Sequence, residues 1–272
     1  MRRLAALALL TALAAVPASA EDVAADAAAT WWKPKPGTSF AMKLIAPWGT
    51  ATTTAAVVDV DLFDNPATTI TRLKRQGKRT VCYFSAGSWE DWRPDAAKFP
   101  AVVKGKAYDG WPGENWLDIR RWDILGPIMT ARIDLCRKKG FDAVDPDNVA
   151  DVDTWGDVTG FHLKRADAIL YVRRLAAVAH ARGLAFGLKN ASEMSRDPKV
   201  MAVSDFTVTE DCFAQGWCAD SRNFITAGKP VFALEYTDNA IDFAAFCRQA
   251  KALNLSPLLK KRTLDAWEKR CP

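Results

Sequence analysis

Short apolar runs alternate with longer amphipathic stretches along most of the chain. Eight runs stand out: FAMKLI at 40–45, AVVDVDLF at 56–63, RTVCYFS at 79–85, FDAVDP at 141–146, LAFGLK at 184–189, DFTVTE at 205–210, PVFALEY at 230–236 and LSPLLK at 255–260. They are short and rich in β-branched or aromatic residues, which predicts strands. Helical spacing falls between them, at 68–76, 122–139, 162–182, 220–227 and 241–253. In 162–182 the residues Ile169, Val172, Leu175, Ala176 and Ala179 share one stripe, and Gly183 closes it; Gly140 stops 122–139 in the same way. Strand–helix alternation on this scale predicts an α/β fold, a (β/α)8 TIM-type barrel in one domain over residues 39–272. A doubly wound sheet competes, but the chain carries neither a dinucleotide fingerprint nor a P-loop.

The opening MRRLAALALLTALAAVPASA has two arginines, an apolar stretch and a small-residue end, the pattern of a signal peptide over residues 1–20. A secreted or periplasmic protein is expected, with residues 21–38 as an arm or linker before the barrel. Without residues 1–20 the chain has 35 basic and 32 acidic residues, a net +3. That is too mild to indicate nucleic acid, and no later stretch could span a bilayer. A monomer is expected. Export makes disulfides plausible among the six cysteines. Cys212 and Cys218 flank a short loop and are the best pair, and Cys247 with Cys271 could tie down the tail. Cys82 and Cys136 read equally well as buried thiols or as a bridge.

In such a barrel the chemistry lies at the carboxyl ends of the strands. Those ends carry Asp59 and Asp61, Tyr83 and Ser85, Asp145 and Asp147, Lys189 and Asn190, Glu210, then Glu235 and Tyr236. The stretch FDAVDPDNVADVD places five aspartates within residues 141–153. It could hold Ca²⁺ but lacks the EF-hand spacing. With only His162 and His180, both in one helical stretch, a three-His zinc site is excluded. A G-x-S-x-G nucleophile elbow is absent too. No metal and no cofactor are expected. Carboxylates remain, and two of them facing across a cleft are the equipment of a glycosidase. Asp147 and Glu210, from the fourth and sixth predicted strands, are the expected pair. Lys189 lies between them; it is expected to hold Asp147 ionised and leave Glu210 as the acid.

The segments VCYFSAGSWEDWRPDAAKFP (81–100), GWPGENWLDIR (110–120), GFDAVDPDN (140–148), GLKN (187–190), TEDCF (209–213) and AGKPVFALEY (227–236) occur in an order that resembles glycoside hydrolase family 114, the endo-α-1,4-polygalactosaminidases. The resemblance runs from about residue 31 to 260. It implies a TIM-type barrel, a retaining mechanism and hydrolysis of α-1,4-linked galactosamine polymers in exopolysaccharide. It places the catalytic Asp on Asp147 and the catalytic Glu on Glu210. Tyr83, Ser85, Lys189, Asn190, Glu235 and Tyr236 match groove positions, and Asn148 belongs to the same motif as Asp147. Two stretches depart from the family pattern: the first strand, with Phe40 and Lys43, and VADVDTWGD after Asn148.

A deacetylated galactosamine polymer is cationic. An acidic mouth of Asp59, Asp61, Asp145, Asp147 and Glu235 is expected to attract it, with Trp111, Trp116 and Trp155 available to stack on sugar rings. The alternative from another class is a carbohydrate-binding or matrix protein on the same barrel without turnover.

Overall fold

The computed structural model describes residues 30–149 and 157–272; residues 1–29, with the expected signal peptide, and 150–156, with Trp155, lie outside the described residues. Three parallel strands come first: β1 (Phe40–Lys43), β2 (Val57–Asp61) and β3 (Arg79–Ser85). The long connection after β3 contains β4 (Ser88–Glu90), β5 (Lys104–Ala107) and β6 (Glu114–Leu117), which pair antiparallel in the order β4-β6-β5. Sequence patterning gave no hint of this small sheet, because its strands are only three or four residues long and mostly polar.

Five more parallel strands follow: β7 (Ala143–Asp147), β8 (Ala185–Lys189), β9 (Phe206–Glu210), β10 (Val231–Tyr236) and β11 (Ser256–Lys260). A short antiparallel β12 (Glu268–Lys269) flanks β11, giving the order β1-β2-β3-β7-β8-β9-β10-β11-β12. The eight predicted strands are therefore the eight parallel ones. The C-terminal segment fills the seam between β11 and β1: Leu44 N donates to Leu264 O at 3.1 Å, and Arg270 Nη2 to Phe40 O at 2.6 Å. The result is a nearly closed TIM-type barrel.

Outside it lie α1 (Ala67–Arg75), α2 (Trp122–Lys139), α3 (Arg165–His180), α4 (Pro198–Met201), α5 (Arg222–Thr226) and α6 (Phe243–Leu253). Gly140 ends α2 in the left-handed region, and the Asp242 carboxylate caps α6 through Ala245 N at 3.0 Å. Alternation along each strand splits the core in two. Val57, Val81, Ala143, Ala185, Phe206, Phe232 and Leu258 fill the barrel interior, while Val58, Cys82, Val144, Phe186 and Ala233 pack in the layer against the helices. Phe40 belongs to the interior, with its ring 4.8 Å from Phe232, and Lys43 donates to the carbonyls of Ile45, Ala46 and Pro47. The departures in the first strand thus serve packing and a turn.

The six cysteines form three disulfides: Cys82–Cys136, Cys212–Cys218 and Cys247–Cys271. The first ties β3 to α2. No described helix is long and apolar enough to cross a membrane.

Candidate active site

The interior turns from apolar to polar toward the carboxyl ends of the strands. Gly187 permits this in β8, one turn of the pleat below Lys189. A Cβ there would stand 2.5 Å from the Phe206 ring, so only glycine lets that ring fill the barrel under the lysine. Gly87 performs a second service. A Cβ on it would overlap the Asn148 carbonyl, and Ala86 N and Gly87 N both donate to Asp147 O, at 2.9 and 3.1 Å. The β3–β4 turn thus clamps the end of β7. Asn148, Asn190 and Asp211, each directly after a functional residue, all have φ near +50 to +62°. This left-handed geometry ends the strand abruptly, and Asn and Asp tolerate it best among side-chain-bearing residues.

Asp147 and Glu210 project into one cavity of about 590 Å³, with Lys189 between them. Lys189 Nζ is 3.2 Å from Asp147 Oδ2 and 3.2 Å from Glu210 Oε2. Tyr83 OH donates to Asp147 Oδ2 at 2.8 Å, and Asn148 N donates to Asp147 Oδ1 at 2.8 Å. Tyr236 OH donates to Glu210 Oε1, and Asn190 Nδ2 donates to Glu210 Oε2 at 2.7 Å. Glu210 N donates back to Asn190 Oδ1 at 2.8 Å, so the two residues fix each other. Arg262 sits over the Tyr236 ring, its guanidinium carbon 3.9 Å from the ring centroid.

The electrostatics follow from burial and this one cation. Burial alone would discharge Lys189, but Asp147, Glu210 and Asp145 hold its proton well above the ordinary lysine range. Burial pushes the Glu210 carboxyl up, yet Lys189 and the hydrogen bonds from Tyr236 and Asn190 outweigh it and leave Glu210 below its ordinary range. The expectation that Lys189 serves Asp147 alone is therefore corrected: it serves both carboxylates. Burial keeps the phenols of Tyr83 and Tyr236 protonated, as donors.

Among the expected site residues, Tyr83, Trp111, Asp147, Asn148, Lys189, Asn190, Glu210 and Tyr236 line the cavity. The acidic mouth is built differently from its expected form. Asp59 and Asp145 are buried, close enough to Lys189 to feel its charge; burial raises both, Asp145 to about 7. Asp61 accepts from Phe63 N and Asp64 N, at 2.7 and 2.9 Å, and pairs with Arg93 at 2.7 Å, which fixes the turn after β2. Ser85 is buried and 2.6 Å from Ser88 Oγ. Glu235 has the opposite strand parity to Tyr236. It points out of the barrel and accepts from Phe213 N and Ala214 N, at 2.7 and 3.2 Å. Trp116 is buried, its ring centroid 4.0 Å from that of Tyr108, and offers no face to a sugar. Asp142 sits at the other end of β7, bound by Lys74 and Arg79. His180 is also remote, stacked on Trp31 and 2.8 Å from Asp205.

Sequence reasoning missed Tyr108, Glu114, Glu193, Asp211, Trp217, Asp220 and Arg262, all of which line the cavity. They lie in loops or in the small sheet, where no periodicity marks them. Among the described residues, Cys212, Cys218 and Glu235 are grouped closely enough for a metal, but both sulfurs are already in a disulfide.

A barrel whose strand ends hold two carboxylates on one cation, facing an open cavity, is the framework of a glycoside hydrolase. The whole-chain comparison agrees. The model of glycoside-hydrolase family GH114 matches residues 21–272, so the chain belongs to that family and is a glycoside hydrolase. It is similar to Ega3 from Aspergillus fumigatus, solved in complex with galactosamine: 37% identity, a TM-score of 0.80, and coverage of 89% of this chain and 98% of that one. The glycoside hydrolase domain of PelA from Pseudomonas aeruginosa shares the fold at 14% identity, with a TM-score of 0.67 and coverage of 86% and 98%. An uncharacterized protein of Deinococcus radiodurans is 29% identical over 234 residues, 77% of this chain and 74% of that protein.

Proposed function

We propose that the protein is an exported enzyme that hydrolyses α-1,4-linked galactosamine polymers of exopolysaccharide with retention of configuration. In this reading Asp147 is the nucleophile and Glu210 the general acid and base. The observation that carries it is the shared ammonium. Two carboxylate oxygens each 3.2 Å from Lys189 Nζ can be separated by no more than twice that distance. Retaining enzymes hold their carboxyl groups about 5–5.5 Å apart and inverting ones about 6.5–9.5 Å apart, which leaves room for a water. The Asp147–Glu210 limit admits the shorter, retaining spacing, and the family resemblance favours it.

The steps follow from the residues. Glu210, protonated, gives its proton to the glycosidic oxygen as Asp147 attacks the anomeric carbon. Tyr83 and Lys189 stabilise the Asp147 carboxylate before attack and when it is released. Glu210, now ionised, takes a proton from water, which opens the glycosyl–Asp147 bond. The similarity to a galactosamine-bound relative supports the substrate class, as does the excess of carboxylates around the cavity. Removal of residues 1–20 on export, and action as a monomer, belong to the same proposal; three disulfides are in keeping with an oxidising compartment.

The test compares wild type with Asp147→Asn and Glu210→Gln on partly deacetylated α-1,4-galactosaminan, with chitosan as the β-linked control. The expected result is oligosaccharide release from the first polymer by wild type alone, with all three proteins folded. Cleavage by either variant at the wild-type rate overturns the assignment of that residue. Binding by the wild type without cleavage favours a carbohydrate-binding protein instead.

A further inference from the structure

We infer that Glu114 is the specificity residue for the free amino group, its carboxylate pairing with the C2 ammonium of a galactosamine unit bound beside Asp147 and Glu210. The inference rests on the galactosaminidase reading and deepens it.

Glu114 opens β6, in the small sheet laid over the barrel mouth. It is only 8% exposed, yet it forms part of the cavity wall. Ser88 Oγ donates to Glu114 Oε2 at 2.5 Å and lies 2.6 Å from Ser85 Oγ. Asn148 Nδ2 donates to both serine oxygens, at 3.0 and 3.2 Å. A chain of polar contacts thus fixes the carboxylate in place, and its far end is the residue next to Asp147.

Several other carboxylates of the cavity wall already meet a cation. Asp147 and Glu210 share Lys189, Arg262 binds Asp211 at 2.8 Å, and Arg196 meets Asp220 at 3.2 Å. Among the described residues, Glu114 meets a hydroxyl and has no cation of the protein in ion-pair contact. Burial, with Glu90 and Asp147 nearby, accordingly pushes its carboxyl up to about 7 against the pull of the Ser88 hydrogen bond. Such a group gains more from an incoming ammonium than a solvated or paired one does.

The same turn presents an aromatic ring. Glu114 N donates to Trp111 O at 3.1 Å, and Trp111 is half-exposed in the cavity wall. One turn therefore offers a face for a sugar ring and a charge for its amine. An N-acetyl group in that place brings no charge and leaves the buried carboxylate unpaired, so the site selects against it.

The test uses Glu114→Gln in the full chain, with fully deacetylated and N-acetylated α-1,4-galactosaminan. Loss of one charge-assisted contact should lower kcat/KM on the deacetylated polymer about 10- to 100-fold more than on the acetylated one, chiefly through KM. An equal loss on both polymers, or no loss, overturns the inference. If the wild type cuts neither polymer, the proposed activity fails, and titration with galactosamine and N-acetylgalactosamine decides Glu114 separately. A wild-type preference for the free amine that vanishes in Glu114→Gln supports it, and an unchanged preference overturns it. Should Glu114→Gln fail to fold, Ser88→Ala reads the same ratio. It loosens the carboxylate without removing it, so a weakened preference supports the inference and an unchanged one overturns it.

Discussion

Asp147 and Glu210, on strands separated by β8, are joined by a single ammonium: Lys189 Nζ stands 3.2 Å from an oxygen of each. In the unliganded site that arrangement holds Glu210 below its ordinary range, whereas catalysis needs it protonated. The lysine is buried and cannot withdraw to water. It therefore sets both the spacing of the pair and the pH range in which the pair works.

Glu210 is held below 4.5, its ordinary value, so its protonated fraction falls about tenfold for each pH unit above its pKa. kcat/KM should decline with rising pH, with an acidic optimum. Lys189→Met removes the strongest influence lowering Glu210 and lets burial dominate. The descending limb should move to higher pH while kcat falls on the order of 100-fold, because Asp147 loses its counter-charge. A pH–rate profile of both proteins checks this; a limb that stays in place contradicts it.

The two tyrosines should separate in their effects. Tyr236→Phe keeps the ring under Arg262 but takes a donor from Glu210, so it should raise the descending limb and lower kcat about tenfold. Tyr83→Phe takes a donor from Asp147 and should lower kcat without moving that limb. Melting temperatures within a few degrees of wild type would show that packing is kept.

At the opposite end of the barrel, Asp205 gathers Trp31, Lys33, His180 and Phe186 N. Burial raises its carboxyl, but these partners outweigh burial and bring it to about 2. Against its ordinary value of 3.8, this is worth about 2 kcal/mol of stability. The contribution is full above the unfolded pKa and disappears as the pH falls through the folded one. Asp205→Asn should therefore cost about 2 kcal/mol at pH 7 and little at pH 2, as measured by urea unfolding.

The disulfides should rank by the loops they close. Cys82–Cys136 spans 54 residues and Cys212–Cys218 spans 6. On chain-entropy grounds the first is worth about 4 kcal/mol and the second about 2. Paired Cys→Ala variants, unfolded in denaturant, should show that order.

Much of this was legible in the residues. All eight barrel strands show as apolar runs, and α2 lies where its spacing and Gly140 place it. Asp147, Lys189 and Glu210 stand at strand ends, where the fold concentrates function. What escaped was parity and loop structure. Glu235 sits beside Tyr236 in sequence but faces the other way, since neighbouring residues on a strand point to opposite sides. Asp59 and Asp145 have inward parity but sit one layer too deep to meet substrate. Glu114 lies in a polar four-residue strand whose place over the barrel depends on long-range pairing and on buried Arg132, which binds Asp95 at 2.8 Å and the Ser85 carbonyl at 2.6 Å.

The central claim is that Asp147 attacks sugar and Glu210 supplies and recovers the proton. The most direct measurement is mass spectrometry of the Glu210→Gln protein after incubation with an α-galactosaminyl fluoride. The fluoride leaves without acid help, and a missing general base slows the release of any covalent intermediate. The expected product is a protein one galactosaminyl unit heavier, with the added mass on the peptide that contains Asp147. An adduct on another residue, or turnover with inverted configuration and no adduct, would contradict it.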